Sequence, residues 1–267
     1  MTNSQARVLL FVIQKGGVAK TTSVKNIAAA LSLLGKKVLV IDFDPQANAT
    51  LGLFQNRVAS NKTVYNLIDP NVKSDDVNYK DYIKTYEKGN IKFDVLPSGN
   101  NLALAEFTLP PKTGREFYFR NRILSKIKGY DFVLVDCQPS LGILVINVLC
   151  SSNDNELIVC VRPDSDSRES IGFLFDSLSS LKEDLQVMPR SYKILVTQML
   201  ESQKSDRFNL NELEKNFPDN MFKTEIRKDT KLAQARDAKS DIFNYDPKSS
   251  GALEYMKIAK EILANDR

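Results

Sequence analysis

The chain of 267 residues contains no histidine and no tryptophan, and only three cysteines. Without histidine, imidazole acid–base chemistry and histidine metal ligation are both excluded. Cys137, Cys150 and Cys160 are odd in number, form no C-x-x-C pair and sit in apolar runs. They read as buried thiols in a reducing compartment, not as a disulfide framework or a metal cluster. No apolar stretch approaches the roughly 20 residues of a membrane span, and the N-terminus lacks the layout of a secretory signal. A strong excess of one charge is also missing: 37 Lys+Arg against 33 Asp+Glu leave a formal +4. Any nucleic-acid surface must therefore be local. With 26% charged and 42% hydrophobic residues, a soluble cytoplasmic protein is the default, and one domain over residues 1–267 is expected.

What the chain does have is a series of short, β-branched apolar runs: VLLFVI (8–13), VLVI (38–41), FVLV (132–135), LIVCV (157–161) and YKILV (192–196). Continuous runs of this kind suit strands buried on both faces of a parallel sheet. Helical periodicity lies between them. Val24, Ile27, Ala28, Leu31 and Leu34 share one face, with Gly35 as a stop. Ile171 to Leu181 and Ala252 to Leu263 give two more amphipathic stretches. The region 56–90 is the least regular and predicts short helices and loops. The alternation predicts an α/β, doubly wound, mostly parallel sheet flanked by helices, with ligands at the carboxyl ends of its strands.

Three strand ends carry chemistry. After the first comes QKGGVAKTT (14–22). Gly16 and Gly17 permit close backbone approach, Lys20 can reach phosphates, and the Thr21 hydroxyl is placed for Mg²⁺. A tight turn with a surface lysine is the bland alternative, and it leaves the pattern unexplained. After the second comes DFDPQANAT (42–50), where Asp42 and Asp44 point to one side of an extended segment. Such a pair beside a triphosphate can hold Mg²⁺ through water and orient an attacking water; alone it is more often a polar loop. The third run ends in Asp136, a Walker-B-like carboxylate.

With these motifs the chain resembles the ParA/MinD superfamily of deviant Walker-A P-loop ATPases, in its small ParA (Soj-like) branch, which includes McdA-like positioning ATPases. VLVIDFDPQANAT and FVLVDCQPSLG are similar to the family's second and third motifs, with Gln138 in place of a usual proline. VLPSGNNLALAE (95–106) and DPKSSGALEYMKIAKEIL (246–263) also look like family segments. The family loop expects Gln14 but has glycine at the place of Ala19. The resemblance implies an ATP-dependent homodimer that uses ATP and Mg²⁺. Lys15 would reach across to the partner's phosphates, and Asp44 would orient the hydrolytic water. Gly16, Gly17, Val18, Ala19, Lys20, Thr21 and Thr22 would hold the phosphates. Thr21, Asp42 and Asp136 would serve the metal, and Gln198, Ile226 and Arg227 would meet the base, with Arg227 where the family has proline.

The resemblance further implies non-specific DNA binding, a nucleoid-associated location, and a stimulating adaptor (ParB-like or McdB-like). Lys223, Lys228, Lys231, Arg236 and Lys239 match the family's DNA-contacting region; residues 112–128 are a second basic cluster, for which a solvated face is equally expected. The first strand is expected near residue 7, which leaves no room for a helix-turn-helix before it. A membrane-cycling MinD-like ATPase, a metabolic relative of the same fold and a hydrolysis-impaired nucleotide binder are the alternatives. The first would need an amphipathic basic segment beyond the last helix, where only a few polar residues follow, so no membrane partner is expected. Ala19 bears on the last: negative φ with its methyl turned from the phosphates is expected, and positive φ would favour lost hydrolysis.

Overall fold

The computed structural model describes residues 6–55, 59, 61–73 and 78–264. Seven strands form one sheet: β1 Arg7–Phe11, β2 Val38–Phe43, β3 Lys84–Lys88, β4 Ile91–Leu96, β5 Phe132–Cys137, β6 Glu156–Val161 and β7 Ser191–Val196. Their order is β3-β4-β2-β5-β1-β6-β7, parallel throughout except for the antiparallel pair β3–β4. The helices are α1 Lys20–Leu33, α2 Asn48–Leu51, α3 Val64–Ile68, α4 Ala105–Thr108, α5 Tyr118–Arg122, α6 Ile143–Leu149, α7 Ser165–Leu185, α8 Lys204–Asn216, α9 Thr230–Asp237, α10 Ile242–Tyr245 and α11 Ser250–Ala264. Every residue of β2 and β5 is buried, as their unbroken apolar runs require. The doubly wound α/β sheet flanked by helices is the predicted architecture.

The five predicted strands and the three predicted amphipathic helices are present. Gly35 ends α1 at φ +78, the left-handed stop the sequence suggested. The described part of region 56–90 holds the expected short helices, α3 and a 3-10 turn at Tyr79–Tyr82, but also an unexpected strand; residues 56–58, 60 and 74–77 lie outside the described residues. That strand is β3, joined to β4 by the two-residue turn Gly89–Asn90, with Gly89 at φ +55, where type II′ hairpin turns take glycine. These strands are buried on alternate residues (Tyr86; then Ile91, Phe93, Val95), because an edge hairpin has only one face on the core. Their charged outer residues break the continuous apolar run that marks the parallel strands.

Topology assembles the site. β1 leads through α1 toward β2 on one side, whereas β5 leads through α6 to β6 on the other. This switch point opens a crevice at the carboxyl ends. Register then sets the acids: Asp136 pairs with Phe11 on one side and Asp42 on the other. The three cysteines are buried and free, as predicted.

Candidate nucleotide site

The phosphate-type loop and Asp44 meet in one cavity of about 510 Å³, lined by Gly16 to Thr22, Asp44 and Pro139; Asp42 and Asp136 are fully buried and do not line it. Helix α1 starts into this cavity with no side-chain cap on its first turn and no acidic residue there. Its N-terminal N–H groups and dipole are thus available to an anionic ligand. Gly17 takes φ +75. The Val18 carbonyl is fixed by the Thr197 hydroxyl at 3.0 Å, and the Gly17 carbonyl by the Gln198 side-chain amide at 2.7 Å.

The expectation for Ala19 is overturned. Ala19 sits at φ 57, ψ 26, in the left-handed region, and its carbonyl receives the Ser23 N–H at 2.9 Å to open α1. The turn from β1 into the helix dictates that conformation whatever residue is present. Alanine there costs roughly 1 kcal/mol or more relative to glycine, because its Cβ crowds the following carbonyl.

At the second strand end Asp42 is fully buried and Asp44 lines the cavity. The Asp44 N–H donates to Asp42 Oδ1 at 3.4 Å, and Asp44 Oδ1 accepts from the Gln46 N–H at 2.8 Å. Asp42 Oδ2 accepts from both the N–H and the hydroxyl of Thr50 (2.8 and 2.7 Å). Asp136 differs: both of its oxygens are buried without a hydrogen-bond partner among the described residues. Burial pushes both the Asp42 and Asp136 carboxyls upward; the charge of Asp136 raises Asp42 further, while Thr21 and Lys20 oppose the rise at Asp136. A buried carboxylate with no donor favours a nearby cation, and Lys20 and Lys25 supply only part of that charge. The Thr21 hydroxyl, Asp136 and Asp42 are an all-oxygen set that fits Mg²⁺ completed by water and phosphate. Among the described residues no group of three or more acidic or cysteine side chains forms a protein-only cage, as a magnesium site shared with a substrate phosphate does not require one.

Lys15 does not line this cavity. Its Nζ pairs with Asp164 Oδ1 at 2.7 Å and with Asp166 at 3.7 Å, at the start of α7. Partial burial opposes it, but the Lys15 ammonium and Ser167 hold the Asp164 carboxyl below its usual range.

Gln198, Ile226 and Arg227 come together with Ala19, Thr22 and Tyr255 around a second cavity of about 280 Å³. Arg227, in the family's proline position, uses what proline lacks. Its backbone N–H donates to Glu254 Oε2 at 2.9 Å, and its guanidinium pairs with Glu254 and, at 3.6 Å, with Glu201. The segment is therefore held by α11 rather than by a ring.

Of the expected DNA-contacting residues, Lys223, Lys228, Lys231 and Arg236 are exposed and Lys239 is half-buried. Lys223 is exposed, with its backbone N–H on Glu261 at 2.8 Å. Lys231 is at the start of α9, and the exposed Lys228 and Arg236 also border the second cavity, Arg236 and Lys239 the first. In the 112–128 cluster, Arg122 donates to the carbonyls of Asp69 and Val72 (2.7 and 2.8 Å) and Arg115 to that of Pro110 at 2.7 Å. Those two guanidinium groups hold the fold together.

Sequence reasoning missed Lys25, which lines the first cavity with a relative exposure of 3%; its signal was its place one helical turn after Thr21. It also missed Glu106, which accepts from the Gln138 side chain at 2.6 Å and the Ile143 N–H at 3.1 Å. Glutamine at 138 thus ties the loop after β5 to α4.

Comparison with known proteins agrees with this geometry. The AAA domain family matches residues 6–204. The chain is 33% identical to the sporulation initiation inhibitor protein Soj of Bacillus subtilis, over 97% of this chain and 99% of that protein. It is also 34% identical to the chromosome-partitioning ATPase Soj of Treponema pallidum, over 97% and 98%. The chain belongs to the ParA/MinD superfamily, in its Soj-like branch. Among solved structures, cobyrinic acid a,c-diamide synthase of Mycobacterium smegmatis with bound ADP and magnesium superposes with a TM-score of 0.79 at 26% identity, covering 98% of this chain and 97% of that one. This chain is thus a ParA-family nucleotide-binding ATPase by kinship. Among its described residues no helix is long and apolar enough to cross a membrane.

Proposed function

We propose that this ParA-family ATPase binds ATP with Mg²⁺, dimerises around it and then binds DNA non-specifically. It hydrolyses ATP when an adaptor protein stimulates it, and so segregates or positions a plasmid, a chromosomal locus or a protein cargo. The observation that carries the nucleotide reading is the unpartnered, buried Asp136 carboxylate beside an uncapped helix start. The buried carboxylate behind the loop favours a cation and the helix start favours an anion, which a metal–phosphate ligand satisfies together.

In this reading Gly16 to Thr22 cradle the phosphates and Thr21, Asp42 and Asp136 serve the metal. When bound, Mg²⁺ supplies charge neutralisation on the phosphate oxygens. Asp44, whose Oδ1 is held by the Gln46 N–H, orients the attacking water. Lys15 leaves Asp164 to stabilise transition-state charge across the interface, so that turnover waits for assembly. The cavity around Gln198, Ile226 and Arg227 receives the base. Lys223, Lys228, Lys231, Arg236 and Lys239 supply the DNA-directed charge, doubled by dimerisation.

ATP turnover of wild type, Asp44→Ala and Lys15→Ala tests the assignment. Asp44→Ala is expected to bind ATP and dimerise without turnover, and Lys15→Ala to bind ATP as a monomer without dimerising or turning over. An active Asp44→Ala, or a Lys15→Ala indistinguishable from wild type, removes the corresponding role. The left-handed Ala19 favours one second reading, a nucleotide-binding relative with impaired hydrolysis. Under it, wild type dimerises with ATP but turns over at background rate, and Ala19→Gly raises that rate.

A further inference from the structure

We infer that Lys25, Arg236 and Lys239 form a phosphate subsite continuous with the nucleotide cavity, with the Lys25 ammonium as its buried anchor; the inference rests on the nucleotide reading above. Lys25 follows Thr21 by one turn of α1, so the two side chains lie on the same helix face. An ammonium has three donors, yet among the described residues Lys25 makes one hydrogen bond, to the Gly52 carbonyl at 3.2 Å. All three cations line the same cavity as the phosphate loop.

Their charges are only partly balanced from the protein side, by Asp237 at Arg236 and by Asp136 and Asp241 near Lys25. Asp136 and Asp241 favour a charged Lys25, but burial, and after it Arg236 and Lys239, oppose that charge and bring its pKa down to about 8. Two acids line the same cavity, Asp44 and Asp237, and Asp237 is engaged with Arg236 at 3.2 Å. Position is fixed by the fold. Helix α9 stops with Lys239 at φ 51, its N–H on the Arg236 carbonyl at 3.0 Å and the Ser240 N–H on the Ala235 carbonyl at 2.9 Å. This is a Schellman stop with lysine at the position usually given to glycine, and it places Lys239 on the cavity beside Arg236. Burying one cation beside two others is unfavourable unless an anion joins them. Continuity with the loop from Gly16 to Thr22 makes that anion a phosphate group.

The phosphate can come from the nucleotide or from a nucleic-acid backbone, and calorimetric titration distinguishes them. MgATP and a short DNA duplex (the latter with ATP present) are titrated into wild type, Lys25→Met, Lys25→Gln and a control, Lys92→Met, a surface lysine paired with Glu87 at 2.7 Å. Both Lys25 variants are expected to bind MgATP at least tenfold more weakly, with melting temperatures no lower than wild type and the control unchanged. A loss confined to the duplex supports the subsite with a phosphodiester as its ligand. Wild-type affinity for both ligands in Lys25→Met overturns the inference, as does full recovery in Lys25→Gln, which can still hold Gly52 but carries no charge. Failure of the wild type itself to bind MgATP would instead overturn the nucleotide reading.

Discussion

Two residues set the character of this site. Ala19 holds a left-handed turn with a methyl group it would do better without. Ala19→Gly is expected to stabilise the nucleotide-free protein by about 1 kcal/mol, since relief of Cβ strain outweighs glycine's added chain entropy; denaturant unfolding measures it, and a destabilised variant would contradict it. Lys25 is the second. Its folded pKa of about 8 lies below the ordinary 10.5, so between those values the unfolded chain binds more protons than the folded one. Stability therefore rises as pH rises through that window. Near pH 7 the penalty of keeping Lys25 charged is on the order of 3 kcal/mol. Lys25→Met should be more stable than wild type at pH 7, with the gap closing toward pH 10; a constant gap between pH 7 and 10 would contradict the assignment. The angle at Ala19 was not legible in sequence, and Lys25 showed only its place one helical turn after Thr21. The backbone angle at 19 is set by the turn geometry, and Lys25 reads as an ordinary polar interruption between Val24 and Ile27 until α9 and α2 close over it.

At the scale of elements, legibility followed burial. Strands buried on both faces announced themselves as unbroken apolar runs, and the site residues lay directly after them. The edge hairpin β3–β4 did not, because its outer residues are charged and its alternation is short. The basic segment 223–239 is expected to contact DNA from its local charge and its match to the family's DNA-contacting region. In the structure Lys231 and Arg236 are both exposed on α9, and Arg236 with Lys239, just past the helix end, borders the nucleotide cavity. The same element scale carries a prediction about the loop after β5. Glu106 holds Gln138 and the Ile143 N–H, so Glu106→Ala leaves the start of α6 without its acceptor. We expect a loss of about 1–2 kcal/mol in stability, seen in thermal unfolding. An unchanged melting temperature would show that solvent replaces the contact without cost.

For the whole molecule, the sheet order explains why three separate motifs are one site: the switch point beside β1 brings the ends of β1, β2 and β5 together. The family could be inferred from those motifs, and kinship with Soj proteins agrees. What lies beyond one chain is assembly. Lys15 is held by Asp164 within its own chain at 2.7 Å, outside the cavity, which suits a lysine whose target belongs to a second copy. Sedimentation velocity with ATP, with ADP and without nucleotide, each with and without non-specific DNA, tests this most directly. The account predicts a dimer with ATP alone and a salt-sensitive DNA complex in that state only. A chain that stays monomeric with saturating ATP, or that binds DNA equally without nucleotide, would contradict it.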